Sequence, residues 1–161
     1  MPTTDGVALR RSDPSEADAV ADLYLRVRQD NIDRIPAVVH SDVDVRAWVR
    51  EVLFRQYDVW VADRGGAVVG MMVLAPPDGL EHLYLDSSVT GSGLGSRLVT
   101  VAKQELDGMI QLWTFQANEG AQRFYARHGF VPVEWTEGDN EEGEPDVRLV
   151  FTQDARSSES E

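Results

Sequence analysis

Residues 82–103 read HLYLDSSVTGSGLGSRLVTVAK, and they contain the pattern that decides the fold. The segment begins with alternating apolar positions, as a half-buried strand does. Glycine then occupies every second position from Gly91 to Gly95. Beyond Gly95, apolar residues recur at helical spacing as far as Leu106. The stretch therefore predicts a strand that leads through a Gly-rich turn into a helix.

This Gly-rich turn has the chemistry of a phosphate site. Without Cβ atoms the chain can turn tightly and bring several backbone N–H groups to one anion. The positive end of the following helix dipole adds to the attraction. Taken alone, however, a GxGxG pattern is also typical of a strand-to-helix connection that binds nothing.

Two other nucleotide motifs fit this turn poorly. A P-loop ends in Gly-Lys-Ser/Thr, whereas Gly95 is followed by Ser96 and Arg97. A dinucleotide site has the spacing GxGxxG and an acid about 20 residues further on, usually at the end of the next strand. Here the spacing is GxGxG and the next strand ends in Phe115-Gln116. A Rossmann-like nucleotide protein is therefore kept only as a minor hypothesis.

The same reading extends to both sides of the turn. Hydrophobic periodicity, capping residues and turn residues define the other elements. In chain order they are a strand at 6–13, a helix opened by Pro14 and Ser15, a loop at 31–40, a helix from Asp42, a hairpin around Gly65-Gly66, strands at 80–86 and 109–116, a helix capped by Asn118 and Gly129, and strands at 130–137 and 146–153. We expect an α+β fold with a mixed, mostly antiparallel central sheet flanked by helices, in the order β-α-α-β-β-β-α-β-α-β-β.

Length and composition limit the remaining possibilities. The 161 residues fit one domain at 1–153, followed by a polar tail at 154–161 that we expect to be disordered. No apolar run is long enough to cross a membrane, which favours a cytoplasmic protein without membrane contact. Because cysteine is absent, disulfides, thiolate metal sites and cysteine nucleophiles are excluded. Three scattered histidines have no metal-ligand spacing, so no metal is expected.

The formal net charge is −13. A field of this sign repels nucleic acid and attracts cations, so amines or basic peptides are better partners than polyanions. The acids also cluster in one loop and in the tail, where they would serve solubility alone. Both interpretations stay open at this point.

Residues 82–103 resemble the acyl-CoA-binding motif of the GNAT superfamily of N-acyltransferases. Residues 110–134, IQLWTFQANEGAQRFYARHGFVPVE, resemble its second motif, in which a strand, an Asn, an Ala and an aromatic-Tyr pair precede a Gly-Phe corner. The likeness covers about residues 80 to 135, and the earlier elements follow the same topology. It implies an N-acetyltransferase that moves an acetyl group from acetyl-CoA to a primary amine, small molecule or peptide, by direct attack in a ternary complex. An acyl-CoA sensor without turnover is the alternative, and the oligomeric state stays open, a homodimer included.

The resemblance also implies which residues contact acetyl-CoA. They are Leu83, Tyr84, Leu85, Thr90, Gly91, Ser92, Gly93, Leu94, Gly95, Ser96, Asn118, Ala121, Phe124 and Tyr125. Leu83 and Leu85 would act through backbone N–H groups on the pantetheine arm and the thioester carbonyl. Thr90 stands where the family often has Gln or Arg, so Arg97 or Arg123 are candidate helpers for the diphosphate.

Two side chains are candidates for proton transfer. An amine must lose its proton before it attacks, because protonation occupies the lone pair. Strand alternation puts Glu81 and His82 on opposite faces, so only one of them is expected in the cleft, and the family favours Glu81 as base. Tyr125 occupies the family's Tyr position and is the candidate acid for the departing thiolate. An exposed strand-end Glu81 and a core Tyr125 are the structural alternatives.

Acceptor recognition is expected in the variable loops. His40, Glu141 and Asp146 are the candidates, since an acidic wall pairs with an ammonium group. The alternatives are a solvated hairpin loop for Glu141 and Asp146 and a structural histidine for His40.

Overall fold

A computed structural model describes residues 6–33, 35 and 40–153. Seven strands and five helices are found in these residues. The strands are β1 (Val7–Arg11), β2 (Asp58–Arg64), β3 (Ala67–Ala75), β4 (Gly79–Leu85), β5 (Met109–Phe115), β6 (Val131–Trp135) and β7 (Asp146–Thr152). The helices are α1 (Ala17–Asp30), α2 (Asp42–Trp48), α3 (Phe54–Gln56), α4 (Leu94–Glu105) and α5 (Glu119–Arg127). The polar tail at 154–161 and half of the 31–40 loop, residues 34 and 36–39, lie outside the described residues.

The strands form one sheet in the order β1-β2-β3-β4-β5-β7-β6. Each neighbouring pair is antiparallel except β4 and β5, which are parallel. Gly65 and Gly66, both at positive φ, close the hairpin between β2 and β3 as the sequence predicts. The expected mixed, mostly antiparallel sheet is confirmed.

Two hydrophobic clusters lie on opposite faces of the sheet. On one face α4 and α5 pack through residues such as Leu94, Leu98 and Tyr125. On the other face α1 and α2 pack against β2 and β3 through residues such as Val20, Leu23 and Val45. Strands β2, β3 and β4 each contribute side chains to both clusters, so the central strands of the sheet separate the two halves of the core.

The second helix differs in one detail from its sequence pattern. Helical spacing predicts a single face made of Val45, Trp48, Val49 and Val52. In the structure a π-helical segment at Val49–Leu53 follows α2. Its wider turn brings Leu53 fully into the core, while Val52 is only partly buried.

Among the described residues, none of the helices has both the length and the apolar character that a membrane crossing requires.

Candidate functional site

The first feature of the site is a gap between β4 and β5. These strands pair only at Gly79 and Gln111, where the Gln111 N–H donates to the Asp78 carbonyl at 2.8 Å. Beyond that point the strands diverge and leave a cavity of about 90 Å³. It is lined by Ile35, Leu80, Glu81, His82, Leu83, Tyr84, Leu112, Trp113, Thr114, Phe115, Asn118, Ala121 and Tyr125. We call this cavity the strand gap.

The β4 edge that faces the strand gap offers backbone donors. The Asp86 N–H donates to Val69 O of β3 at 2.8 Å. In an antiparallel pair the N–H groups alternate between the two sides of a strand. The N–H groups of Leu83 and Leu85 therefore point away from β3 and toward the gap. Both side chains pack against the core, so these residues present main chain to the opening.

A second cavity, of about 730 Å³, lies over the Gly-rich turn. We call it the turn cavity. Gly91 and Gly93 have φ of +78° and +90°, which favours glycine, and no atom lies within 4 Å of the Cβ that either would carry. Within the described part of the chain, the N–H groups of Gly91, Gly93, Gly95 and Ser96 donate to no backbone acceptor. The turn thus presents open space and free donors at the start of α4, as an anion site requires.

The basic residue at the turn cavity differs from the two that the sequence suggested. Arg97 directs its guanidinium to the Val7 carbonyl at 3.4 Å, and Arg123 is exposed and lies 3.9 Å from Glu119. Neither lines the cavity, whereas Arg127 does. Thr90 lines the cavity too, although its hydroxyl donates to the Ser87 carbonyl at 3.1 Å.

Helix α5 joins the turn cavity to the strand gap. Asn118 caps the helix by accepting a hydrogen bond from the Ala121 N–H at 3.1 Å. Asn118 and Ala121 line both cavities, and Tyr125 lines the gap, so these three residues lie on one face of α5. Tyr125 is 7% exposed, and burial raises the pKa of its hydroxyl, which therefore keeps its proton at pH 7. Phe124 lines the turn cavity and packs closely on Gly95, so it combines a core contact with a site position.

A β-bulge places both Glu81 and His82 at the strand gap. Val73 pairs with His82 and Leu74 with Leu80, so Glu81 is an extra residue in β4. Both residues line the gap, although simple alternation predicts only one of them there. Partial burial and nearby Asp78 raise the pKa of Glu81. Burial lowers the pKa of His82 to about 4, with Arg28 acting in the same direction, so the imidazole is neutral at pH 7.

A third cavity, of about 470 Å³, lies on the α1 and α2 side of β4. We call it the aromatic pocket. It is lined by Tyr24, Arg28, His40, Asp44, Val45, Trp48, His82, Glu141 and Glu142. Its inner wall contains three rings whose centroids are 5.5 to 6.0 Å apart, those of Tyr24, Trp48 and His82. His82 also lines the strand gap, so the two cavities share a wall.

Arg28 connects the aromatic pocket to the loop between β6 and β7. Its side chain is only 5% exposed, and it donates to the Tyr24 hydroxyl at 3.2 Å and to Glu142 at 3.4 Å. A buried cation of this kind is stable only while its partners remain in place. The Glu142 carboxylate, which comes from a distant part of the sequence, is therefore fixed at the pocket wall.

His40 and Glu141 form the exposed rim of the aromatic pocket. His40 Nε2 lies 2.7 Å from Glu141 Oε2, and the two side chains are 52% and 58% exposed. Asp146 is not brought to this rim. It is 8% exposed, its carboxylate accepts a hydrogen bond from the Thr136 hydroxyl, and it lines none of the three cavities. The arrangement thus gives no support to the expected role of Asp146 in binding the acceptor amine, because its carboxylate is buried and hydrogen-bonded to Thr136.

The contact between His40 and Glu141 leads to a testable prediction. The hydrogen bond to Glu141 raises the pKa of His40 above 6.5, and the negative charge of Glu141 makes the second largest contribution. The contact therefore stabilises the rim fully below pH 6.5, and this contribution is lost as the pH rises through the raised pKa. Glu141→Gln is expected to lower the pKa of His40 toward 6.5 in an NMR titration of the ring. His128, whose pKa burial lowers, should titrate unchanged, and an unmoved His40 would contradict the contact.

Several residues of the site are missed by reading the sequence. Tyr24 and Trp48 have helical spacing, which predicts core positions. Both residues do pack in the core, but each also lines the aromatic pocket. Arg28 and Arg127 have no local signal, since Arg28 pairs with the distant Glu142 and Arg127 is brought to the turn cavity by the fold. His128 is interpreted as complementing a helix dipole, but its Nε2 lies 3.0 Å from Ser96 Oγ and ties the start of α4 to the end of α5. No group of three or more His, Asp and Glu in the described ranges is placed to hold a metal ion.

Comparison with known families agrees with this arrangement. A family model described as "Acetyltransferase (GNAT) domain" matches residues 55–132, which contain most of the residues that line the strand gap and the turn cavity. No curated protein sequence matches the chain.

Solved structures with the same fold cover nearly the whole chain. The apo-form of YjaB from Escherichia coli has a TM-score of 0.72 at 24% identity, over 90% of this chain and 97% of its own. The putative acetyltransferase yncA from Salmonella typhimurium, solved with acetyl-CoA, has a TM-score of 0.71 at 15% identity, over 92% of this chain and 94% of its own. Ribosomal-protein-S5-alanine acetyltransferase from Vibrio fischeri has a TM-score of 0.72 at 18% identity, over 94% of this chain and 95% of its own. At these identities the likeness shows the fold.

Proposed function

We propose that the chain, which matches a GNAT acetyltransferase family model over residues 55–132, moves an acetyl group from acetyl-CoA to a primary amine within a ternary complex. One observation carries the proposal: the three cavities follow one another with shared walls. The turn cavity meets the strand gap at Asn118 and Ala121, and the gap meets the aromatic pocket at His82. A donor and an acceptor that enter from opposite sides would therefore meet at β4.

The residues at the first two cavities fit acetyl-CoA. The open space over Gly91 and Gly93 and the free N–H groups at the start of α4 suit a diphosphate, with Arg127 as a nearby cation. The N–H groups of Leu83 and Leu85 suit the amide and carbonyl oxygens of the pantetheine arm. When bound, acetyl-CoA would supply an acetyl group activated as a thioester.

The chain's own groups have distinct tasks in the transfer. A backbone N–H on the gap side of β4 would stabilise the negative charge that develops on the carbonyl oxygen, as an oxyanion-hole donor does. The buried Tyr125 hydroxyl keeps its proton at pH 7 and is the proposed acid for the departing thiolate. Glu81 is the proposed base for the amine proton.

Glu81→Gln is expected to flatten the low-pH limb of the kcat/KM profile. A base must be ionised to work, so activity that depends on Glu81 falls as the pH drops through the carboxyl pKa. That pKa is raised by partial burial and by Asp78, which moves this limb upward from the ordinary position of a glutamate. Initial rates of thiol release from pH 4 to pH 9 would show the effect. If the profile is unaltered, another group or water accepts the amine proton, and Glu81 is not the base.

The function itself can be tested with two measurements on the full chain. Calorimetry should detect acetyl-CoA binding, and a thiol-release assay over a broad panel of amines should detect turnover with at least one class. Binding without thiol release from any amine would favour an acyl-CoA sensor. Binding of NAD or ATP in place of acetyl-CoA would contradict the proposal.

A further inference from the structure

The aromatic pocket has an uneven distribution of charge. Its inner wall is buried and aromatic, whereas its rim carries the exposed side chains of His40, Asp44 and Glu141. Of its three carboxylates, Glu142 is paired with Arg28 and Glu141 is in contact with His40. Asp44 makes no ion pair within the described residues. The rim therefore carries negative charge in excess, and the excess grows when His40 is neutral.

A single amine cannot satisfy both parts of this pocket. At the moment of attack the reacting nitrogen must be neutral, so it cannot balance a carboxylate. The inner wall suits that neutral state, because burial disfavours a charged amine and the Arg28 guanidinium repels it. The rim, in contrast, attracts a group that stays charged. A hydrogen bond between a carboxylate and an ammonium is stronger than one between a carboxylate and a neutral group.

On the basis of the proposed function, we propose that the acceptor is a small aliphatic diamine, which binds with one nitrogen neutral at the aromatic wall and the other as an ammonium at the acidic rim. A cavity of about 470 Å³ lies in the range of small-molecule sites. The rim side chains Asp44 and Glu141 belong to α2 and to the loop before β7, so they hold the ammonium from two sides.

The test compares acceptors of equal length that differ at the far end. A four-carbon α,ω-diamine, the matching amino alcohol and the matching amino acid are offered to the full chain with saturating acetyl-CoA. We expect kcat/KM for the diamine to exceed that for the amino alcohol by at least about tenfold, after correction for its two equivalent ends. The amino acid, whose far end is an anion, is expected to be the poorest acceptor.

Variants of the rim separate this inference from a general preference for amines. In Asp44→Asn combined with Glu141→Gln, the ratio of diamine to amino alcohol should fall by about tenfold. Glu105→Gln, which neutralises an exposed acid on α4 outside the three cavities, is the matched control and should keep the ratio. Thermal unfolding would verify that each variant is folded.

The outcomes distinguish the inference from the function on which it rests. Equal rates with diamine and amino alcohol, a ratio that survives the rim variants, or a preference for the amino acid would each overturn the diamine while leaving acetyl transfer intact. If neither these acceptors nor any amine of the broad panel releases thiol, the proposed function fails instead. Calorimetric binding of the diamine and of the amino alcohol to the same variants then decides whether the rim binds the ammonium at the far end of the diamine.

Discussion

Gly91→Val is expected to weaken acetyl-CoA binding by at least about 100-fold, the equivalent of about 2.7 kcal/mol. Gly91 lines the turn cavity with φ of +78°, and the space that a Cβ would enter is open. A valine side chain would occupy that space and force the backbone out of the left-handed region, which moves the neighbouring N–H groups. Isothermal titration calorimetry with acetyl-CoA measures the loss directly.

Gly108 provides a matched control for this experiment. Its φ is +74°, and no atom lies within 4 Å of its missing Cβ, so it resembles Gly91 in strain and in free space. It lies before β5 and does not line the turn cavity. Both valine variants should lose about 1 to 3 kcal/mol of stability from backbone strain, but only the Gly91 variant should lose affinity. Equal affinities in the two variants would remove the Gly-rich turn from the binding site.

Most of the fold can be predicted from this sequence because its signals are local. The Gly65-Gly66 turn fixes a hairpin, Asn118 and Gly129 mark both ends of α5, and apolar spacing identifies α1 and α4. Each of these features depends on residues within a few positions of each other. The π-helical segment after α2 has no such signal, since it adjusts the helix to the core that it meets.

The candidate site is predicted less completely, for a related reason. The Gly-rich turn and the α5 face are local patterns and lie where the sequence suggests. The aromatic pocket depends on contacts between Arg28 and Glu142 and between His40 and Glu141, which are more than 100 positions apart in the chain. The bulge at Glu81 breaks the alternation that would otherwise assign its face. Neither feature follows from spacing, because each results from how the sheet brings distant segments together.

Tyr125→Phe tests the proposed acid, and we expect it to lower kcat by about 100-fold or more, within the usual range for the loss of an acid or base. The phenyl ring would keep its contacts with Phe124 and Phe130, at centroid distances of 5.1 and 5.3 Å, so the helix face should stay in place. Affinity for acetyl-CoA should therefore change by no more than several-fold. Stopped-flow measurement of thiol release, together with calorimetry, separates the two effects.

The pattern of kinetic constants decides which task the hydroxyl performs. Loss in kcat with unchanged affinity fits a proton that is needed only in the transition state, whereas a raised KM with normal kcat would make the hydroxyl a binding group. Tyr57→Phe is the control, since Tyr57 packs on the opposite face of the sheet and lines none of the three cavities. If both variants turn over like the unmodified chain, Tyr125 is a core aromatic residue, and the departing thiolate takes its proton from water.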